Sequence, residues 1–510
     1  MKHFLSLTCL WAGVLAAVST ALGSSAPAPQ FRIVSRVALY HQIFGIVEGS
    51  PGTLYSSAQQ AVFSVTIQGE VVGLANFPSR VAPLSSPIPG PDEKLYSSVY
   101  GTAGSVPSLF SVRGAANSLV QYPRQALTAT LTQSLPDGTF LGTAIDQSTC
   151  ISYVVRADTN GNVTRLYEVP AGESYIKGGP RRAVRKLNPD QLSPHALIYA
   201  SDGNYYGLVW QRPQGLVSST IGYIGGDQYP FTLGGDSPPR GVSSTIGYVF
   251  RLTPTGAVTI LDHLLPGTFS SDTAYVPLIQ ATDGNLYGTT AGPGGLVTDF
   301  GSVYRLTLKG QFTTIYAFAD SGGAIPESMV QASDGNLYIA SIGMTGNGEI
   351  SRVTLGGQYT LIHKMTPRDG TCPCWLTQAS DGIIYGTATS QGPDGAGTVF
   401  ALDLGLPKPA PQVLTMTPTS GPAGTVVRIW GYNLLSAAVR FNGIASTRIH
   451  GSGPNYVFAT VPVGAKSGPV TVITPGGKST LPIDFWVTTA AARYRSGSIC
   501  CATCGGDCRA

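Results

Sequence analysis

The feature that most constrains the fold is an Asp-Gly pair that recurs between two β-prone runs. In Leu278–Phe318 the chain reads LIQATDGNLYGTT, crosses a Gly-rich gap, and resumes as GSVYRLTLKGQFTTIYAF. Asp283-Gly284 separates the first two runs and Lys309-Gly310 the second two. An Asp-Gly pair between alternating runs signals a tight primed hairpin, with φ > 0 at both central residues. One unit is therefore expected to be four antiparallel strands.

The hairpin returns at Asp202 (LIYASDGNYYG), Asp334 (MVQASDGNLY) and Asp381 (LTQASDGIIYGTA). The last three copies stand roughly fifty residues apart, the period of a propeller blade. Degenerate copies precede them: LTQSLPDGTFLGTA from Leu131, Pro91-Asp92 with Leu95-Tyr96, and Gly52-Thr53-Leu54-Tyr55. That gives seven copies. The last runs through Gly397-Thr398-Val399-Phe400 but lacks a fourth strand, while an orphan strand over 31–44 precedes the first. Pairing the orphan with the last unit would close a ring and hide two sheet edges. The expected fold is all-β: a seven-bladed β-propeller over 31–405, its last blade closed by strand 31–44. An open solenoid is the alternative and would need caps.

Charged residues are only 11% of the chain and the net charge is +4, which gives no electrostatic case for nucleic acid. Lys2 and His3 precede an apolar run from Phe4 to Val18, and Ala21-Leu22-Gly23 offers small residues for cleavage. Residues 1–23 thus read as a secretory signal, with a membrane anchor as the alternative. The expected product is secreted or held at the cell surface, with no membrane span after signal removal.

These residues carry a family resemblance. The ASDGNLYGTT hairpin followed by GTVF and a Leu-Thr strand resembles the GloVer tandem repeats of exported bacterial proteins, over roughly residues 50–405. The resemblance implies a propeller-like β array at the cell exterior and no catalytic residue. After the Pro-rich linker 406–411, residues 412–488 resemble the immunoglobulin-like IPT/TIG domain. Pro418, Gly421, Gly424, Gly431 and Asn433 match its opening motif, and Phe441-Asn442-Gly443 and Pro475-Gly476-Gly477 match later turns. This implies a small β-sandwich acting as a spacer or interaction domain. Arg428, Arg440 and Arg448 are scattered along it, so a DNA-contacting role is not expected.

Two insertions break the period. Residues 172–194 carry Lys177, Arg181, Arg182, Arg185 and Lys186, a basic cluster that could contact an acidic polymer or could simply be solvated. In 208–246 the heptapeptide Val217–Tyr223 anticipates Val242–Tyr248, and only the second copy continues into a regular strand. Signatures of metalloproteases, serine hydrolases and P-loop enzymes are missing, and the six histidines are isolated. The repeated aspartates could form a calcium ring, but an Asp beside Gly already has a turn-stabilising role. Cys150 stands alone, Cys372 and Cys374 flank Pro373, and Cys500, Cys501, Cys504 and Cys508 crowd the tail 489–510. An export address favours disulfides there over zinc. No catalytic residue, metal or cofactor is expected. The expected function is non-enzymatic binding or scaffolding through propeller loops, with extracellular polysaccharide or a surface protein as partner. The alternatives are a secreted propeller lyase or glycosidase and a purely structural repeat protein.

Overall fold

In the computed structural model every element is a β-strand, and among the described residues no helix occurs. The structure describes residues 29–489 except 38–42, 59–60, 78–80, 84–85, 102–107, 114–115, 122–126, 147–150, 170–172, 175–184, 187–191, 212–221, 225–226, 230–246, 265–277, 291–300, 319–324, 344–345, 394 and 396. The secretory-signal segment, Cys150, Lys177, Arg181, Arg182, His3, His41 and the tail cysteines therefore lie outside the described residues.

The Leu278 unit is a four-stranded antiparallel meander: Ile279–Gln280, Leu286–Thr290, Ser302–Leu306 and Phe312–Ala317. The same up-and-down order builds sheets over 43–76, 127–168 and 326–364, and over 192–264, where a two-stranded arm (Gly222–Ile224 with Asp227–Tyr229) intervenes. In the sheet over 81–121 the first strand is split into Val81–Pro83 and Ile88–Pro89, giving five. The sheet of Thr371–Gln378, Ile384–Ser390 and Thr398–Asp403 takes its fourth strand from the N-terminal side: Gln30–Arg36 pairs antiparallel with Thr398–Asp403. That strand ends at Arg36. Ile43 and Phe44, expected to continue it, instead open the first strand of the next sheet, Ile43–Ser50. The result is a propeller-like array.

The turn chemistry departs from the expected primed hairpin. In the Leu278 unit, Gln280 pairs with Leu286 and the chain turns through three residues, with Gly284 N–H donating to Ala281 O at 2.9 Å. Of the Asp-Gly pair only Gly284 has positive φ, +82°. The carboxylate explains the difference: Asp283 Oδ1 accepts the Asn285 N–H at 3.0 Å, which holds Asp283 in an ordinary turn conformation. Only one left-handed residue is then needed, as in three-residue loops. A Cβ on Gly284 would meet nothing within 4 Å, so backbone conformation and not crowding calls for glycine. In the degenerate copy at 91–94, Glu93 takes that position with φ +63°.

Neighbouring sheets are joined by apolar faces and by a repeated glutamine. Tyr206, Val249, Leu286 and Tyr304 share one buried cluster across two sheets, and Ile43, Phe63, Tyr385 and Val399 share another between the 43–76 and 371–403 sheets. Gln280, on a first strand, accepts the Ser201 N–H of the preceding sheet's turn at 2.7 Å and donates to its own Gly284 O at 3.0 Å. Gln331 and Gln378 do the same with Thr282 and Ser333, at 2.9 and 2.8 Å. Each amide thus satisfies one donor and one acceptor at opposite sides of a seam.

Residues 412–487 form a β-sandwich. One sheet orders Gln412–Thr417, Val426–Tyr432, Tyr456–Thr460 and Ile449–Ser452, and the other Ile444–Ala445, Ala438–Phe441, Val470–Thr474 and Gly477–Thr480. Val427, Ile429, Val439, Phe441, Val457 and Val472 fill the space between them. Gly431 is required by close approach, since a Cβ there would lie 1.9 Å from Gln412 O.

Candidate functional site

The meander gives the array two unlike faces. In every unit the first and third connections, including the Asp-Gly turns, lie at one end of the strands, and the glutamine bonds hold neighbouring units in the same orientation. The second connection, and the passage to the next unit, must therefore lie at the opposite end. Both irregular insertions belong there: one joins Val163–Glu168 to Leu192–Tyr199, and the other joins Tyr205–Gln211 to Gly247–Leu252. Leu208–Gln211 is regular strand, so the second excursion starts later than the expected 208. Of the basic cluster, Arg185 and Lys186 pair through their backbones with Glu173 and Ser174.

The turn face is occupied by the sandwich. Gln133 Nε2 donates to Tyr432 OH at 2.8 Å, Asn455 Nδ2 to Ser134 Oγ at 3.0 Å, and Arg428 Nη2 to Pro136 O at 2.6 Å. Trp430 is 3% exposed and meets the Tyr199 ring edge-on at 5.8 Å. Burial lowers the pKa of Arg428 and raises that of Tyr432. The linker is held as well, with Ser333 Oγ and Gln378 Nε2 donating to Pro407 O. The sandwich is docked on the array and not merely tethered to it. Between the two parts lies a cavity of about 170 Å³, with Glu48, Gln378 and Ser380 on one wall and Tyr432, Asn433 and Asn455 on the other.

The repeated aspartates are engaged in their own turns. Asp334 takes Asn336 N–H at 3.1 Å, Asn336 Nδ2 at 2.8 Å and Tyr338 OH at 3.0 Å. Asp202 and Asp283 repeat all three bonds, and Asp381 keeps the backbone bond, to Ile383, and the Tyr385 bond. At Asp283 burial opposes ionisation, but Asn285, Tyr287 and the nearby Arg305 outweigh it and hold the carboxyl below its ordinary value. Tyr287 is pushed up to about 12 by burial and by Asp283. Such carboxylates have spent their acceptors on shape. The tyrosine four residues on is the partner that sequence reasoning missed, although a Tyr stands four residues after each of these four aspartates.

The other candidate groups stay apart. Cys372 Sγ lies 3.4 Å from Gly346 O and Cys374 Sγ 3.1 Å from Cys372 O. Burial raises both thiol pKa values and the charge of Glu327 raises them further, which leaves poor nucleophiles. His363 stacks on Phe31 at 4.0 Å and meets Asp369, while His450 meets Thr460 Oγ1 at 2.6 Å. Among the described residues no three His, Cys, Asp or Glu side chains converge as a metal site.

Comparison with known proteins bears on the repeats. Residues 225–419 match the Gloeobacter/Verrucomicrobia repeat family. The match includes the three most regular copies, at Asp283, Asp334 and Asp381. No curated protein matches the sequence. Among solved structures, a virginiamycin B lyase from Staphylococcus aureus is 11% identical with a TM-score of 0.46, covering 74% of this chain and 99% of its own. A gluconolactonase from Xanthomonas campestris is 15% identical with a TM-score of 0.37, covering 76% and 93%. An oligogalacturonate lyase from Vibrio parahaemolyticus is 9% identical with a TM-score of 0.43, covering 74% and 97%. At these scores the likenesses carry no argument about a reaction.

Proposed function

We propose that the chain is an exported, non-enzymatic binding or scaffold protein whose contact surface is the face of the array opposite the sandwich. In this reading the array is a ring of seven blades, closed where Gln30–Arg36 completes the last sheet, and the C-terminal part is an IPT/TIG module. The observation that carries it is the inequality of the two faces. Tight turns and the sandwich share one, and the long, irregular connections share the other. Rigid hairpins hold shape while recognition resides on loops above them. The closure is supported by the contact of Glu48, on the first strand of the 43–76 sheet, with Ser380 in the turn of the 371–403 sheet.

The insertion over 172–194 carries five Lys or Arg against Glu173 and Asp190, so its partner is an acidic polymer such as an anionic polysaccharide. A glycan array and an envelope pull-down with the full chain test this, repeated with 175–184 and then 213–245 replaced by short Gly-Ser turns. Loss of acidic-glycan binding on either replacement, with unchanged melting, is the expected result. Binding that survives both replacements refutes the assignment. Turnover of a polysaccharide, abolished by a single carboxylate substitution, would make the protein an enzyme instead.

A further inference from the structure

The bond that ties neighbouring sheets together at the turn face is missing from one run of the array. In the regular copies its acceptor stands three residues before the aspartate, and its donor is the N–H one residue before the preceding copy's aspartate. Gln280 with Ser201, Gln331 with Thr282 and Gln378 with Ser333 are such pairs. Glu48 and Ser380 keep the same two positions. The turn bond from Ala281 N–H to Asn285 O recurs from Gly90 to Lys94, Leu135 to Thr139 and Ala200 to Asn204, and it fixes the equivalent positions. Pro89, Ser134 and Tyr199 then occupy the acceptor position, and Pro91 and Pro136 the donor position. A proline has no N–H to give. The tie therefore cannot form between the 81–121 and 127–168 sheets, nor between the 127–168 and 192–264 sheets. Apolar clusters still join these sheets, so the loss is confined to the polar rim.

The sandwich stands on these altered residues. Asn455 Nδ2 donates to Ser134 Oγ at 3.0 Å, Arg428 Nη2 donates to Pro136 O at 2.6 Å, and Trp430 meets the Tyr199 ring. Arg428, Trp430 and Tyr456 close with Pro89 and Pro91 around a cleft of about 10 Å³, no more than one water needs (~10–15 Å³). Between the 127–168 and 192–264 sheets a different polar tie is present: Gln133 Oε1 accepts the Tyr199 N–H at 2.8 Å. The nitrogen of that amide donates to Tyr432 OH, so the sandwich orients this tie as well.

We propose that the sandwich is an intramolecular clamp that supplies the missing ties and holds the 81–121, 127–168 and 192–264 sheets together at their turn face. The losses of glutamine and of the donor N–H fall where sandwich side chains stand, which gives the degenerate turns a purpose: a residue released from the seam can face the sandwich. Docked, the array is tied throughout this run. Released, it keeps the seams at Gln280, Gln331 and Gln378 and becomes hinged at these two.

The test is hydrogen exchange by mass spectrometry on the full chain, wild type and Trp430→Ala, with cleavage of 406–411 reporting release. On release, 88–101 and 131–146 should exchange about tenfold faster or more, as loss of one charged hydrogen bond implies, while 279–290 and 326–341 stay unchanged. Pro91→Ser with Ser134→Gln installs the pair that the regular copies carry, and it should restore protection in the released variant. Unchanged exchange at 88–101 and 131–146 after release, or an equal rise in every sheet, overturns the proposal. A released variant that the installed pair does not restore overturns the seam assignment. Should W430A fail to fold or to release, wild type in rising urea decides without a variant. There 88–101 and 131–146 should open in the step that makes 406–411 cleavable, at lower urea than 279–290, and any other order refutes the clamp.

Discussion

Deleting residues 30–36 should cost the array on the order of 5 kcal/mol, most of a typical domain's stability. The strand is only half buried, with Phe31 and Val34 packed against the array's buried clusters and Ile33 half-buried opposite Phe400. Half-burial of three large apolar side chains is worth about 3–4 kcal/mol in total. Its removal also bares the edge of Thr398–Asp403, whose Val399, Phe400, Ala401 and Leu402 are now fully buried. Uncovering one side of Phe400 and Leu402 adds about 1–2 kcal/mol. The comparison variant is truncation after Val487, which among the described residues removes chiefly the hydrogen bond from Thr488 N to Gly421 O, worth about 1 kcal/mol. Urea unfolding of both truncations reads the difference directly. A smaller probe is Phe31→Ala, which loses the stack on His363 at 4.0 Å and on Phe400 at 5.2 Å and should cost about 1.5–2 kcal/mol. Equal stability of the two truncations would refute the claim that the N-terminal strand holds the last sheet.

Four further outcomes are expected. Asp283 has a depressed folded pKa, so its contribution is present above the ordinary carboxyl value and is lost as pH falls through the folded one; Asp283→Asn should flatten acid unfolding in urea–pH titrations. Tyr287 has the opposite sign, its contribution present below the ordinary phenol value and lost as pH rises through about 12, so tyrosinate absorbance should appear late and together with unfolding. Trp430 lies outside the sandwich's own core cluster, so Trp430→Ala should leave that core folded, weaken docking by about 3–5 kcal/mol, and render 406–411 cleavable in limited proteolysis. Mass spectrometry of protein recovered from medium or envelope should find Ser24 as the first residue, and intact Met1 on a cytosolic product would count against export.

The periodic hairpins were legible because their signal is local. An Asp-Gly pair, its flanking β-prone runs and the next turn lie within one unit, and the structure forms a sheet at each copy. Boundaries were less legible. Residues 31–44 read as one apolar strand, but the chain uses Gln30–Arg36 in one sheet and Ile43–Ser50 in the next, and composition does not mark the change. The turn type was missed because the Asp carboxylate, and not a second left-handed residue, supplies the missing acceptor.

The seams and the docking were invisible for a different reason. A glutamine three residues before the Asp-Gly pairs at Asp283, Asp334 and Asp381 looks like an ordinary polar position until its partner is known, and that partner lies in another sheet. The contacts that seat the sandwich join residues such as Gln133 and Tyr432, which stand 299 positions apart in sequence. A Pro-rich linker reads as a tether because composition reports stiffness and not the surface it crosses. The cavity under the sandwich depends on the same separation. Glu48 belongs to the first sheet, Ser380 to the last, and Asn433 and Asn455 to the sandwich, so the cavity exists only when all three are assembled.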